Sequence, residues 1–250
     1  MISDFDIRNQ IVIPCNKSSS LKNGYSNIQL AIKYSNNEHN FNIFKKLLSE
    51  TDTYDMHDLL ISTICDFGST SNINVVKLLI ESGANINYKT RGDWTPIICA
   101  CFYPEDNSEI IKLLIESGAD INSKSKTGAI ALAYLIEYSS VNADLDIIKL
   151  LIRKGSLINN RDVNGHTPLM SCFQNNNIKL IRYDIIKLLL DNKADIYIRN
   201  NHSGNILGVV RDKIGEKSDI YSLIFYYKNI SNDVFCEYDI NFIYEYQYKN

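Results

Sequence analysis

The amino-acid sequence predicts an all-α protein, a solenoid of about six helix–turn–helix units with short β-hairpin fingers between them. The phrase Val-Val-Lys-Leu-Leu-Ile-Glu-Ser-Gly-Ala-Asn-Ile-Asn at 75–87 returns nearly unchanged at 110–122 and, more divergent, at 147–159 and 185–197. The first leucine of its Leu-Leu or Leu-Ile pair recurs as Leu47, Leu78, Leu113, Leu150, Leu188 and Leu223. The intervals are 31 to 38 residues, which indicates stacked units that are each too small to bury their own apolar face.

Composition excludes several classes of protein. The chain has 250 residues, 45% of them hydrophobic, and a net charge of −3 with both signs interspersed, so its charge balance favours no particular charged partner. The first residues lack the cationic and apolar regions of a secretion signal, and no apolar run approaches the length of a membrane span. The cysteines are Cys15, Cys65, Cys99, Cys101, Cys172 and Cys236. Because most of them fall inside helical patterns, we expect free thiols in a reducing, intracellular compartment.

The period also sets the order of elements along the chain. We expect an N-terminal segment or cap at 1–23, repeats at 24–54, 55–87, 92–122, 127–159, 164–198 and 203–228, and a C-terminal cap or tail at 229–250. An uncapped solenoid end is poorly soluble, so a cap is favoured over a docking tail for the last segment. A cap would bury Phe235, Ile240, Phe242 and Ile243 against the sixth unit.

Each unit should contain two helices with recognisable ends. Thr167 can cap a first helix with its hydroxyl, and Pro168 at the first helical position loses no backbone hydrogen bond. A second, mostly apolar helix is predicted from Asp184, an acid well placed at the positive end of the helix dipole. A left-handed residue should end the second helices, at positions held by Gly83, Gly118, Gly155 and, at greater cost, Lys193.

These features resemble ankyrin repeats. Thr167-Pro168-Leu169, Thr95-Pro96-Ile97 and the Gly-Ala-Asp/Asn-Ile-Asn that ends several units match the signature of that family. The resemblance is strong over 74–200 and weaker over 24–73 and 201–228. The Asn-, Ile- and Lys-rich style most resembles the ankyrin proteins of giant, mimivirus-like DNA viruses. The chain departs from the signature at Ile98, Met170 and Ala131, and Gly92-Asp93 reverses the usual Asp-Gly.

A column of cations is predicted on the finger tips. One finger position holds Lys89, Lys124, Arg161 and Arg199, and the position two residues later holds Arg91, Lys126, Val163 and Asn201. Stacked units would set these side chains beside one another, where they either bind a partner or only keep the surface soluble. The position before the predicted cap of each first helix, where the caps are taken as 95, 130, 167 and 206, varies fully, as Trp94, Ala129, His166 and Asn205. We expect partner contacts from His166 and from Trp94, which is either the anchor of the interface or a packed residue at the base of its finger.

No constellation of catalytic or metal-binding residues occurs. The order of Gly215-Glu216-Lys217-Ser218 does not fit a phosphate-binding loop, and Cys99 and Cys101 have no second Cys/His pair at zinc spacing. We therefore expect no enzyme, no metal, no cofactor and no small-molecule substrate.

The resemblance implies a non-enzymatic, monomeric scaffold that binds another protein on the concave face made by the fingers and first helices. One alternative is an adaptor that joins its partner to a second component such as a host ubiquitin ligase. Binding of nucleic acid through the basic column is less favoured. The viral resemblance implies the cytoplasm or nucleus of an infected host cell.

Overall fold

The computed structural model describes residues 27–35, 38–51, 53–66, 73–138, 145–174, 182–202, 204–215 and 218–231. Within these ranges every regular element is a helix and no strand occurs, in agreement with the all-α prediction. The chain divides into two compact units, Met1–Lys126 and Thr127–Asn250. The predicted N-terminal segment 1–23 and the C-terminal residues from 232 onward, which include the four apolar residues of the proposed cap, lie outside the described residues. The six repeats and the β-hairpin fingers stay predictions.

The described part of unit 1 contains α1 (Asn27–Lys33), α2 (Glu38–Leu48), α3 (Thr53–Asp66), α4 (Ile73–Glu81), α5 (Pro96–Phe102) and α6 (Pro104–Glu116). Sequence neighbours pair, with α1 on α2, α3 on α4 and α5 on α6, while α3 also packs against α1 and α5. The second helices α4 and α6 contact each other. α5 packs against both α3 and α6, and its residues 96–101 are all buried. This environment explains why α5 is apolar all round.

The described part of unit 2 contains α7 (Ala131–Tyr138), α8 (Leu145–Arg153), α9 (Pro168–Ser171), α10 (Tyr183–Asp191), α11 (Ile206–Ile214) and α12 (Asp219–Ser231). α7 packs on α8 and α9, α9 on α11, and α12 on α10 and α11. Leu114 in unit 1 and Leu151 in unit 2 are both 0% exposed, so the leucine pairs that defined the period do supply the core of each unit.

Side chains fix the starts of the first helices. Thr95 Oγ1 accepts the N–H of Ile98 at 3.5 Å, and Thr167 Oγ1 accepts that of Met170 at 3.4 Å, which confirms the predicted cap at Thr167. The predicted start of α10 was late by one residue. The helix begins at Tyr183, and Asp184 lies in its first turn, where its carboxylate accepts the N–H of Ile185 at 3.0 Å.

The ends of four second helices share one backbone conformation. Gly83, Gly118 and Gly155 have φ values of 98°, 87° and 90°, and Lys193 has a φ of 68°. In the last of these ends the Lys193 N–H donates to Leu190 O and the following Ala194 N–H donates to Leu189 O, both at 3.0 Å. This is the Schellman pattern, which requires a left-handed residue. The prediction that Lys193 takes the left-handed conformation at this helix end is confirmed.

The asparagine that ends the repeated phrase links successive loops. In unit 1, Asn87 Oδ1 accepts the N–H of Asp120 at 2.8 Å. In unit 2, Asn159 Oδ1 accepts the N–H of Asp195 at 2.8 Å, and its Nδ2 donates to Lys193 O at 3.2 Å. An amide side chain can accept and donate at once, which explains why the phrase ends in Asn.

Candidate protein-binding surface

We call residues 89–94, 124–129, 161–166 and 199–204 the finger turns. A polar side chain closes three of them in the same way. Thr90 Oγ1 accepts the N–H groups of Gly92 and Trp94, at 3.3 and 3.2 Å. Asp162 and Asn200 each accept the equivalent pair of N–H groups, two and four residues further on, at 2.7 to 3.0 Å. These local bonds hold the turn backbone, so the side chains between them are free to vary.

The alignment of the last finger turn by sequence was wrong by one residue. α11 begins at Ile206, and Asn205 caps it by accepting the N–H of Gly208 at 3.1 Å. The side chain of Ile206 has no oxygen with which to cap a helix, so Asn205 holds the position of the capping threonines. The variable position in front of it is therefore Gly204, and Asn205 is not a counterpart of Trp94.

The finger turn of Trp94 differs from the others because its glycine and acid are exchanged. Asp93 takes the left-handed φ of 56°, the position that Gly128 and Gly165 hold with φ values of 74° and 77°. The exchange leaves Gly92 beneath the indole, and a Cβ on Gly92 would lie 2.8 Å from Trp94 Cδ1. The reversed dipeptide thus makes room for a large ring that folds back on its own turn.

Trp94 belongs to a row of three aromatic side chains. Its ring meets Phe102 edge-on with centroids 5.0 Å apart, and Phe102 meets Tyr103 in the same manner at 4.9 Å. Trp94 and Phe102 are half-buried, and Tyr103 at the end of α5 is 45% exposed. Trp94 is therefore packed at the base of its finger and also borders the surface, so the two predicted roles are compatible.

The four predicted cations of unit 1 are all exposed: Lys89, Arg91, Lys124 and Lys126. Lys126 N–H donates to Gly92 O at 3.1 Å, which places the two finger turns side by side. Within the described residues none of the four side chains has an ion pair or hydrogen bond. The aligned lysines of the second helices behave differently, because each has an acid within 4.0 Å: Lys77, Lys112, Lys149 and Lys187.

Unit 2 places its two predicted arginines next to each other. Arg161 and Arg199 are exposed, and Arg161 Nη2 donates to the backbone oxygen of Arg199 at 3.0 Å. Val163, which stands in the second row of the column, is 59% exposed and its N–H donates to Thr127 O at 2.8 Å. One arginine of the predicted column is thus partly engaged in holding adjacent turns together.

His166 lies in a polar cluster rather than on open surface. Its Nδ1 is 2.6 Å from Gln174 Nε2 and 3.7 Å from Asp162 Oδ2. Nearby on α7, loss of solvation raises the pKa of the Glu137 carboxyl above its ordinary value, and the charge of Asp162 raises it further. The ring of His166 is thus held by Gln174 of its own unit. The partner contact predicted at this position would lie near the acids Asp162 and Glu137.

The residues at the end of the first helices were not predicted as part of the surface. Phe102, the last residue of α5, and the following Tyr103 hold the same repeat positions as Glu137 and Tyr138 at the end of α7, and Tyr138 is 42% exposed. Their signal was available, since both pairs lie seven and eight residues after the cap position. The repeat pattern does not show that these residues meet the finger, because only packing brings the end of α5 against Trp94.

The buried thiols are unsuited to reaction. Burial raises the pKa of Cys172 to about 12, and a hydrogen bond with Cys65, reinforced by burial, raises that of Cys99 far above its ordinary value. The cysteines at 65, 99, 101 and 172 are thiols rather than halves of disulfides. Among the described residues, no group of three acids, histidines or cysteines could hold a metal ion. In that same part of the chain, no helix combines the length and apolarity needed to cross a membrane.

Comparison with known protein families gives a match over most of the repeated region. A family model described as ankyrin repeats, in three copies, matches residues 28–125 and 105–200. The two matches overlap and together run from 28 to 200, which is more than half of the chain. Comparison with curated proteins found no match.

Proposed function

Since the chain belongs to the ankyrin-repeat family, whose members generally mediate protein–protein interaction, we propose that it is a non-enzymatic scaffold that binds another protein. The proposed contact face is the concave face made by the finger turns and first helices. The family is typically a non-enzymatic interaction module, and this supports a role in binding rather than catalysis.

The observation that carries this choice of face is the contrast between two sets of cations. Four aligned lysines on second helices α4, α6, α8 and α10 are paired with acids of their own helix, whereas the exposed finger cations Lys89, Arg91, Lys124 and Lys126 lack such partners within the described residues. A charged partner would satisfy the finger cations and would be steered to them from solution.

The finer parts of the proposal rest on the repeat pattern. We propose six repeats over 24–228, β-hairpin fingers and a monomer with one partner protein, without nucleic acid or a small-molecule substrate. The Asn-, Ile- and Lys-rich style supports an origin in a giant DNA virus and hence a location in the cytoplasm or nucleus of an infected cell.

A second candidate function is an adaptor that also recruits a component such as a host ubiquitin ligase. The observation that favours it lies on α12, far along the chain from the Trp94 finger. Ile224 is fully buried there, whereas Phe225 is 41% exposed and stacks on Tyr221 with centroids 6.4 Å apart. Such an aromatic surface is a site on which a second protein can dock.

The test is affinity capture from a cell lysate with the full chain as bait, followed by binding measurements with the purified protein that is captured. The variant bait carries Glu at positions 89, 124, 161 and 199. The matched control carries Glu at four other exposed cations, so its net charge changes equally: Lys46, Arg153, Lys154 and Lys193.

We expect the control to bind like the unmodified chain. The finger variant should bind more slowly at low salt, with an association rate reduced about tenfold or more and little remaining salt dependence. Equal association rates for the finger variant and the control would refute the finger face. A captured partner that is lost on Phe225→Ala but kept by the finger variant would favour the adaptor's second surface.

A further inference from the structure

One part of the proposed face combines aromatic and cationic side chains. We call Trp94, Phe102 and Tyr103 the aromatic platform. Its rings form a continuous row, with successive centroids 5.0 and 4.9 Å apart, and Tyr103 exposes 45% of its surface. The row belongs wholly to unit 1, because it is built from one finger turn and the end of α5.

The exposed cations border this platform from two adjacent finger turns. Lys89 and Arg91 precede Trp94 in its own turn, and Lys126 is bonded through its N–H to Gly92, the residue beneath the indole. Only one acid, Asp93, interrupts residues 88–103, and none occurs in residues 123–127. Cations therefore outnumber acids four to one in these two segments, in a protein whose net charge is −3.

We propose that this surface of unit 1 binds an extended acidic peptide segment of another protein, with carboxylates on the finger cations and one apolar side chain on the aromatic platform. The inference rests on the proposed function and names the chemistry of the partner. Large rigid rings supply much of the binding energy at interfaces, and complementary charge supplies rate and register.

The observations favour a peptide over a nucleic acid. Bases stack on open aromatic faces, but Trp94 is half-buried, folds back on Gly92 and meets Phe102 edge-on. The cationic surface of unit 1 also consists of only four side chains, and unit 2 does not repeat the combination of cations with an aromatic ring, because its equivalent α7 position holds Glu137, beside Asp162. A single extended segment matches that limited size, whereas a phosphate backbone needs a longer track of cations.

The experiment selects ligands for the immobilised full chain from a library of short random peptides that contain no tryptophan. Selected peptides are then synthesised in two forms, with their acids intact and with the acids replaced by the matching amides. Because Trp94 is the only tryptophan, its fluorescence reports binding at the platform directly. A single-stranded oligothymidylate is titrated in parallel.

Two variants and two matched controls locate the binding. Lys89→Glu with Arg91→Glu removes the cations of the Trp94 turn, and Arg153→Glu with Lys154→Glu makes the same change of charge at exposed positions in unit 2. Tyr103→Ala truncates the platform. Tyr183→Ala truncates a tyrosine of similar exposure, 42% against 45%, on α10.

We expect the selected peptides to be net acidic with an apolar residue and to change the emission of Trp94. Amide replacement and the Lys89/Arg91 variant should each weaken binding about tenfold at low salt, and Tyr103→Ala should do so at any salt. The two controls should bind within about twofold of the unmodified chain.

Selection of neutral or basic peptides at this surface would overturn the acidic chemistry and leave the proposed function standing. Failure to enrich any peptide that depends on residue 89, 91 or 103 would overturn the site, whether or not the lysate capture succeeds. Tighter binding of the oligothymidylate than of any peptide, with loss in the Lys89/Arg91 variant, would replace the proposal with nucleic-acid binding. Failure of the proposed function would be seen in a different experiment, the lysate capture, as the absence of any retained partner protein.

Discussion

The left-handed position that ends the second helices offers a sharp test, because the chain places glycine there in some repeats and lysine in another. Glycine holds the position in three repeats, at φ values of 87° to 98°, and Lys193 holds it in the fourth at 68°. Replacing Lys193 by glycine should stabilise unit 2. The lysine side chain is exposed and has no hydrogen bond or ion pair in the described residues, so nothing is lost with it. Its backbone carbonyl, which accepts from Asn159 Nδ2, is kept.

The magnitude follows from two opposing terms. A side chain in the left-handed region costs about 1–2 kcal/mol, which Lys193→Gly would recover. Glycine also makes the unfolded chain more flexible, and that flexibility costs about 0.5–1 kcal/mol. The net gain therefore lies between about 0 and 1.5 kcal/mol, centred near 0.8 kcal/mol. In a protein of this size the central value corresponds to a rise in Tm of about 2–3 °C.

The reverse change supplies the matching experiment. At Gly155 an added Cβ would have no heavy atom within 4 Å, so Gly155→Lys introduces backbone strain without a steric clash. It should cost about as much as Lys193→Gly gains. Lys154→Gly is the control, because Lys154 is exposed and does not have a positive φ; there only the entropic cost remains, and stability should fall.

Urea unfolding followed by far-ultraviolet circular dichroism measures all three variants, with the midpoint as readout and an unchanged slope as the condition for comparison. The reasoning fails if Lys193→Gly lowers the midpoint, or if Lys193→Gly and Lys154→Gly shift it equally. In either case the left-handed backbone would not be the source of the cost.

Three further predictions concern the core and two carboxyl groups. Leu151→Ala and Leu114→Ala, both at fully buried positions, should each cost about 2–5 kcal/mol in urea unfolding, and a shift below about 1 kcal/mol would contradict the packing. Glu137→Gln should raise Tm at neutral pH. Burial raises the pKa of the Glu137 carboxyl in the folded state, so the unmodified protein loses stability as the pH rises through that pKa. In acid the carboxyl is protonated in both states, and the difference between Glu and Gln should vanish. A hydrogen bond from Arg182 holds the pKa of Asp184 in the folded protein below its ordinary value. The pair therefore stabilises the folded protein at pH values above the pKa of Asp184 in the unfolded chain, and this contribution is lost as the pH falls through the lower pKa of the folded state. Arg182→Gln should therefore lower Tm at neutral pH, by an amount that shrinks in acid; a constant difference at all pH values would exclude the ion pair as its cause.

Helix caps and left-handed helix ends could be predicted from the sequence because they depend on the backbone conformation of a few neighbouring residues. Thr167 caps its helix since a hydroxyl next to free N–H groups is favourable in any fold. Lys193 could be assigned to a left-handed position from its alignment with three glycines. The same reasoning misplaced the cap of α11 by one residue, because alignment by residue count put it at Ile206, whose side chain cannot cap a helix as that of Asn205 does.

The sequence by itself determined that this protein is all-helical and repetitive, that Thr167 caps a helix, that left-handed residues end the second helices, and that the repeated leucines form the core. Only the tertiary structure decided which side chains meet. It set the end of α5 against Trp94, brought Lys126 to Gly92, and placed Glu137 near Asp162. Periodicity and capping depend on residues a few positions apart, whereas these contacts join separate elements. Their geometry is set by how the helices and turns of each unit pack.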